Sequence, residues 1–241
     1  MGGLAALFEA AAFVVGFWIF FTLLEPAEYG AADVAAGRHV AFLADNRTIL
    51  TVWNLVIYVA FGAFLVVLAL ALHERLKGAA PGLATTGTAF GLIWAGLVIA
   101  SGMVANIGLD AVVELAGQDP AEAAVVWRSY HFVVNGLGGG NEIVGGLWVL
   151  LISLAAVRPG GLPRPLNALG GVVGVAGLLT TVPALEPLGA VFGLGLIAWF
   201  ACLGVVMLCG GERSASTIGS GFEPKPVAET AQMARGLPAR G

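Results

Sequence analysis

Charge is scarce in this chain, and its scarcity excludes most soluble functions. Asp, Glu, Lys and Arg make up 11% of the 241 residues against 59% hydrophobic residues, and a mean hydropathy of +0.93 lies far on the apolar side of water-soluble domains. No cluster of Lys or Arg offers a surface to nucleic acid. A basic leading segment is missing too: the first basic residue is Arg38, so the first apolar run is no secretory signal peptide and reads as a retained membrane helix. Cysteine is nearly absent. Cys202 and Cys209 are about 10 Å apart along one helix, which excludes a disulfide between them, and both read as small buried hydrophobes. Of the three histidines, His39 falls in a loop, His73 and His131 at opposite ends of spans, so no haem pair forms. Zinc spacing, HExxH, the P-loop and the nucleophile elbow are missing as well. The expectation is no cofactor, no metal and no recognisable enzyme.

Long apolar runs are abundant. Six of them, near residues 4–24, 48–72, 83–107, 129–156, 166–185 and 188–209, reach the roughly 20 residues needed to cross a hydrocarbon core of about 30 Å. The expected fold is therefore all-α, a polytopic transmembrane bundle of six spans over residues 1–210. Basic residues set its orientation. Arg75, Lys77, Arg158, Arg164, Arg213, Lys225, Arg235 and Arg240 fall on one side, and Arg38, Arg47 and Arg128 on the other, which predicts both termini in the cytoplasm. The outer connections are acidic, with Glu25, Glu28, Asp33, Asp45, Asp110, Glu114, Asp119, Glu122 and Glu186. Only Glu186-Pro187 divides the last two spans, which predicts a tight hairpin unless the weaker fifth span is re-entrant. Residues 211–241 are polar, small and proline-containing, and read as a disordered cytoplasmic tail.

Two outer loops are long. Residues 25–47 read as a short interfacial helix followed by Asp45 or Asn46 capping the second span; in 108–128, Asp119, Pro120 and Glu122 form a helix start, so the fourth span begins outside the membrane.

Polar residues inside the spans carry the functional expectation. On an unbroken helix His131 and Glu142 lie about 20° apart in azimuth and Asn135 about 40° from His131, so the three share a face. Arg47, Thr51, Asn54 and Tyr58 form a second stripe, and Asn106, Asp110 and Glu114 a third. Converging stripes predict an outward-opening polar pocket built from His131, Asn135, Asn54, Tyr58, Asn106 and Asp110, with Glu142 and its neighbour Asn141 near the floor. The plainer account makes the asparagines interhelical hydrogen-bonding partners. Glu142 stands apart, because a carboxylate at mid-bilayer costs about 3 kcal/mol and no Lys or Arg lies within a span to offset it. It is expected either to bind a proton, ionising when water or a cation arrives, or to be a neutral hydrogen-bonding group. Glu9, about one turn inside the first span, is expected to snorkel to the cytoplasmic surface.

Glycine concentrates at 136, 138, 139 and 140. Close packing through small-xxx-small pairs is the favoured account, since Gly87 with Gly91, Gly170 with Gly174 and Gly189 with Gly193 repeat the pattern; a broken helix beside Glu142 is the other.

The stretches LALALHERLKG, GLWVLLISLAAVRPGGLPRPLNALGGVVGVAGLLTTVP and FGLGLIAWFACLGVVML resemble the DUF4386 type of bacterial multi-pass membrane protein, chiefly over the latter 100 residues or so. The resemblance implies a helical bundle in the bacterial inner membrane and carries no catalytic residues. Two function classes fit: binding or translocation of a small solute through the pocket, or a structural or assembly subunit whose glycine faces pack on a partner membrane protein or a second copy.

Overall fold

The computed structural model describes residues 1–31, 34–139, 142–158 and 161–219, with side chains to residue 209. Helix α1 (Gly2–Ile19) continues through a π-helical turn, Phe20–Leu24. After an irregular connector come α2 (Ala36–Asp45) and α3 (Arg47–Asn54), the latter running through π-helical Leu55–Ala60 into α4 (Phe61–Leu76). Then follow α5 (Pro81–Ala116), α6 (Pro120–Val134), a π-helical segment Asn135–Gly139, α7 (Ile143–Ala156), α8 (Arg164–Leu179), a short 3-10 turn Pro183–Leu185 and α9 (Leu188–Gly219). The described residues contain no strand.

Among the described residues, five continuous or jointed helices are long and apolar enough to cross a membrane: Gly2–Leu24, Arg47–Leu76, Pro81–Ala116, Pro120–Ala156 and Leu188–Cys209; Arg164–Leu179 is apolar but shorter. The fifth expected segment thus stops at Leu179. Thr180 Oγ1 donates back to the Gly177 carbonyl at 2.7 Å and Thr181 Oγ1 to Leu178 at 2.9 Å, and Pro183 has no N–H to continue the ladder.

Residues Met1–Met207 form one compact unit. Its principal core joins α1, α4, α5, α7, α8 and α9 around the fully buried Trp148, Trp199, Phe192 and Phe200. A second core lies at the other end of α5, where Leu109 and Val112 pack with Val40 and Leu43 of α2 and with Ala123 and Trp127 of α6. At 36 residues α5 is about 54 Å long, well beyond a hydrocarbon core, so one helix supports both cores. Leu208–Gly241 form a second unit, described only as the end of α9; from residue 220 the expected tail lies outside the described residues.

Local chemistry explains the helix starts. Asp119 Oδ1 accepts from the Ala121 and Glu122 amides at 3.0 Å each, with Pro120 in the first turn, as expected for α6. Asn46 occupies the N-cap of α3, but its side chain points backward and donates to the Phe42 carbonyl at 2.9 Å, closing α2 instead. Cys202 and Cys209 are exposed on α9, not buried, since that face has no helix packed over it and apolar side chains there meet no polarity penalty if lipid covers them.

Glycines set how closely helices approach. A Cβ on Gly174 would lie 2.8 Å from the Gly146 carbonyl oxygen, so α7 and α8 touch backbone to backbone. At Gly91 it would meet the Trp148 indole at 2.5 Å, and at Gly193 the Phe17 ring at 2.6 Å. At Gly136 it would meet nothing within 4 Å. Packing therefore accounts for Gly87, Gly91, Gly170, Gly174 and Gly193, but not for Gly189, where a Cβ would meet only Thr180 Cγ2 at 3.9 Å, nor for Gly136. The reason for the cluster around Gly136 is Gly138, whose φ of 144° and ψ of 7° break the helix between α6 and α7.

Candidate functional site

The break at Gly138 divides the expected pocket into two recesses. The first is a cavity of about 210 Å³ beside the second core. Its polar lining is Tyr29, Asn54, Tyr58, Tyr130, His131 and Asn135, and Leu24, Leu43, Leu50 and Leu109 supply apolar wall. The chain has three tyrosines in 241 residues, and all three line this cavity.

Each ring is positioned by an identifiable device. Tyr29 sits between two residues with left-handed backbone, Glu28 (φ 53°) and Gly30 (φ 87°). For Glu28 that conformation is costly, and the surrounding contacts must hold it. The bare Gly30 also admits the His131 imidazole, which an added Cβ would touch at 3.5 Å. Tyr130 lies against Gly108 of α5, where a side chain would collide with the phenol ring, and Tyr58 lies against Gly102, where a Cβ would come within 2.6 Å of its Cβ.

Hydrogen bonds tie the lining together. Trp127 Nε1 donates to the Tyr29 hydroxyl at 3.2 Å, and Tyr29 is also hydrogen-bonded to Tyr130. Burial pushes the Tyr29 phenol above its ordinary range, an effect partly offset by those two bonds, so it is neutral at physiological pH. Trp127 is stacked between two imidazoles, His39 at 4.3 Å and His131 at 5.2 Å between ring centroids. Asn135 pairs with His131 Nε2 at 3.0 Å. Asn54 Nδ2 donates to Asn106 Oδ1 at 3.0 Å, and Asn106 donates to the Thr51 carbonyl at 3.4 Å. Asn106 therefore supports the wall from behind. Asp110 lies farther out, in an exposed ion pair with Arg47 at 2.7 Å.

Glu142 is elsewhere. It stands at the N-cap of α7, half-buried, and lines an open recess with Thr180, Thr181, Pro183, Glu186 and Gly189 at the α8–α9 connection. The expected common face with His131 assumed an unbroken helix, and the turn at Gly138 removes that register. Glu142 lies near enough to Tyr58 for the two to interact electrostatically, which is its one described link to the cavity. Asn141 lies outside the described residues.

Four expected residues thus meet in the cavity, Asn54, Tyr58, His131 and Asn135. Sequence reasoning missed Tyr29, Tyr130 and Trp53, each part of a loop or helix treated as scaffold. The signal that was there is the rarity of tyrosine. Glu9 also departs from expectation: it is fully buried, and neither carboxyl oxygen has a hydrogen-bond partner among the described residues. It cannot snorkel, because its face of α1 is enclosed. Phe13, one turn on, packs against Phe61 of α4 and Phe200 of α9.

No group of three His, Cys, Asp or Glu side chains that could hold a metal occurs among the described residues. A family model described as Domain of unknown function (DUF4386) matches residues 37–210. Neither the curated proteins nor the solved structures yield a match.

Proposed function

The chain belongs to the DUF4386 family, and from that premise, the apolar helices and the cavity together, we propose that it is a six-span protein of the bacterial inner membrane that binds a small solute from the outer side. In this reading α8 is a further span, the fifth of six in chain order. At 16 residues it is about 24 Å long, and it is matched by α7 with 14. Both are shorter than the core, and the open α8–α9 connection makes up the remaining depth. An even number of spans agrees with the excess of basic residues on the side of the α4–α5 and α7–α8 connections. The cavity then faces outward.

The observation that carries the proposal is the convergence of all three tyrosines, from three separate segments, on one cavity. Hydroxyls and amides at membrane depth are costly unless satisfied, and a strained turn at Glu28 holds one of them there. A volume of about 210 Å³ equals the share of about seven water molecules in the liquid, which suits a small metabolite rather than a lipid. The partner-subunit reading has less support, because Gly91, Gly170, Gly174 and Gly193 are covered by side chains and backbone of this same chain.

The test fills the cavity. Ala105, 6% exposed, lines it from α5. In the purified protein Ala105→Phe should abolish any solute-induced rise in melting temperature while the solute-free protein melts within a few degrees of wild type. A solute whose stabilisation survives Ala105→Phe binds elsewhere, and the proposal fails.

A further inference from the structure

Resting on that reading, we propose that the solute is a small organic ammonium cation, held by the faces of the cavity's aromatic rings. The argument begins with what the lining has left to offer. Its side-chain amides are engaged: Asn54 with Asn106, and Asn135 with His131. The Tyr29 hydroxyl is shared between Trp127 and Tyr130. A neutral sugar-like or amide solute needs several available donors and acceptors in fixed positions, and these bonds already commit the Asn54 amide donor, the Asn135–His131 pair and the Tyr29 hydroxyl.

An anion fares worse. No Lys or Arg lines the cavity among the described residues. Of the three arginines at this end of the bundle, Arg47 is held by Asp110 at 2.7 Å, Arg38 by Glu28 at 3.3 Å, and Arg128 donates to the Ala124 carbonyl of its own helix at 3.4 Å. The connections on this side of the proposed bundle carry more acidic than basic residues in sequence, a balance that disfavours anions and favours cations.

Aromatic side chains make up much of the lining. Phe20, Tyr29, Trp53, Tyr58, Tyr130 and His131 contribute to its lining, and the negative face of each phenol or indole attracts a cation with methyl-sized groups that ring packing can enclose. A hydrated metal ion is the wrong guest, given the missing ligand cluster. Trp53 adds one specific feature. Its ring contributes to the lining, while its Nε1–H is buried with no acceptor among the described residues. The cavity's size limits the guest to about seven non-hydrogen atoms.

The experiment compares isosteres on the full chain in lipid nanodiscs, read by tryptophan fluorescence and by melting temperature. Choline is the cationic probe, 3,3-dimethylbutan-1-ol its uncharged carbon isostere, and a small carboxylate of equal size the anionic control. Choline should bind at least tenfold more tightly than the alcohol, with no detectable binding of the carboxylate. Removing one ring, by Tyr130→Leu or by Trp53→Leu, should weaken choline about tenfold, whereas Tyr130→Phe and Trp53→Phe should stay within about threefold. Two positions are tested so that a poorly folded variant at one leaves the other to decide. Equal binding of choline and the alcohol overturns the cation assignment while leaving a solute cavity in place. Failure of choline to bind also overturns it. Choline binding that persists in Ala105→Phe overturns both the assignment and the proposed site.

Discussion

Glu9 shows what one side chain can reveal about a bundle. A carboxyl that is fully buried, with both oxygens unpartnered among the described residues, is a polar cost that the fold carries without visible return in stability. Replacing such a group by an apolar one of similar size is neutral or stabilising when nothing pairs with it. Glu9→Leu should therefore hold or raise the melting temperature of the purified protein, by about 1–3 kcal/mol in stability. A drop of several degrees would mean that the carboxyl has a partner. Gly108 supplies the opposite case. Any side chain there meets the Tyr130 ring, so Gly108→Ala should cost about 1–3 kcal/mol and weaken solute binding together. At Gly96, on the same helix, an added Cβ meets nothing within 4 Å. Gly96→Ala should leave both unchanged or gain up to about 1 kcal/mol, as thermal melts of the two variants side by side would show.

Among the elements, the interrupted helix from α6 to α7 decides most. A cluster of glycines in an apolar run permits either tight packing or a break, and composition cannot separate the two because both need small residues. The choice is made at Gly138, whose positive φ only glycine adopts readily. Ser101 Oγ of α5 donates to the Val134 carbonyl at 3.2 Å, which anchors the end of α6 to the long helix. Gly138→Ala should destabilise by about 1–3 kcal/mol, whereas Gly136→Ala, with open space around it, should be nearly silent in the same melt. Equal effects at the two positions would contradict a backbone cause. The functional result of the break is the separation of Glu142 from His131 and Asn135. The stripe that the periodicity placed on one face is cut in two, and only its His131–Asn135 half lines the cavity.

For the whole molecule, the length of α5 is the organising fact. One helix of 36 residues serves a principal core at one end and, at the other, the smaller core that backs the cavity. The proposed orientation predicts that a fluorescent reporter fused after Gly241 folds in the cytoplasm. A cysteine placed at Gln118, in the connection between α5 and α6, should react with an impermeant maleimide added outside intact cells. Labelling only after the cells are opened would invert the bundle and turn the cavity inward.

Sequence by itself determined the membrane class, the helical fold, the family, the Asp119 cap and a short helix before the second span, because these depend on local composition and on side chains a few positions apart. It also singled out Asn54 with Tyr58 and His131 with Asn135, since a spacing of four residues brings each pair to one face of its own helical segment. Tertiary structure decided the rest. Tyr29 and Tyr130 reach the cavity from segments 101 positions apart in the chain, through a strained turn and a bare glycine on a third helix, and no periodicity within any one segment encodes that meeting. The placements of Glu9 and Glu142 were equally out of reach, because whether a carboxyl is enclosed or lies at a recess depends on which neighbour covers its face and on a single backbone angle at Gly138.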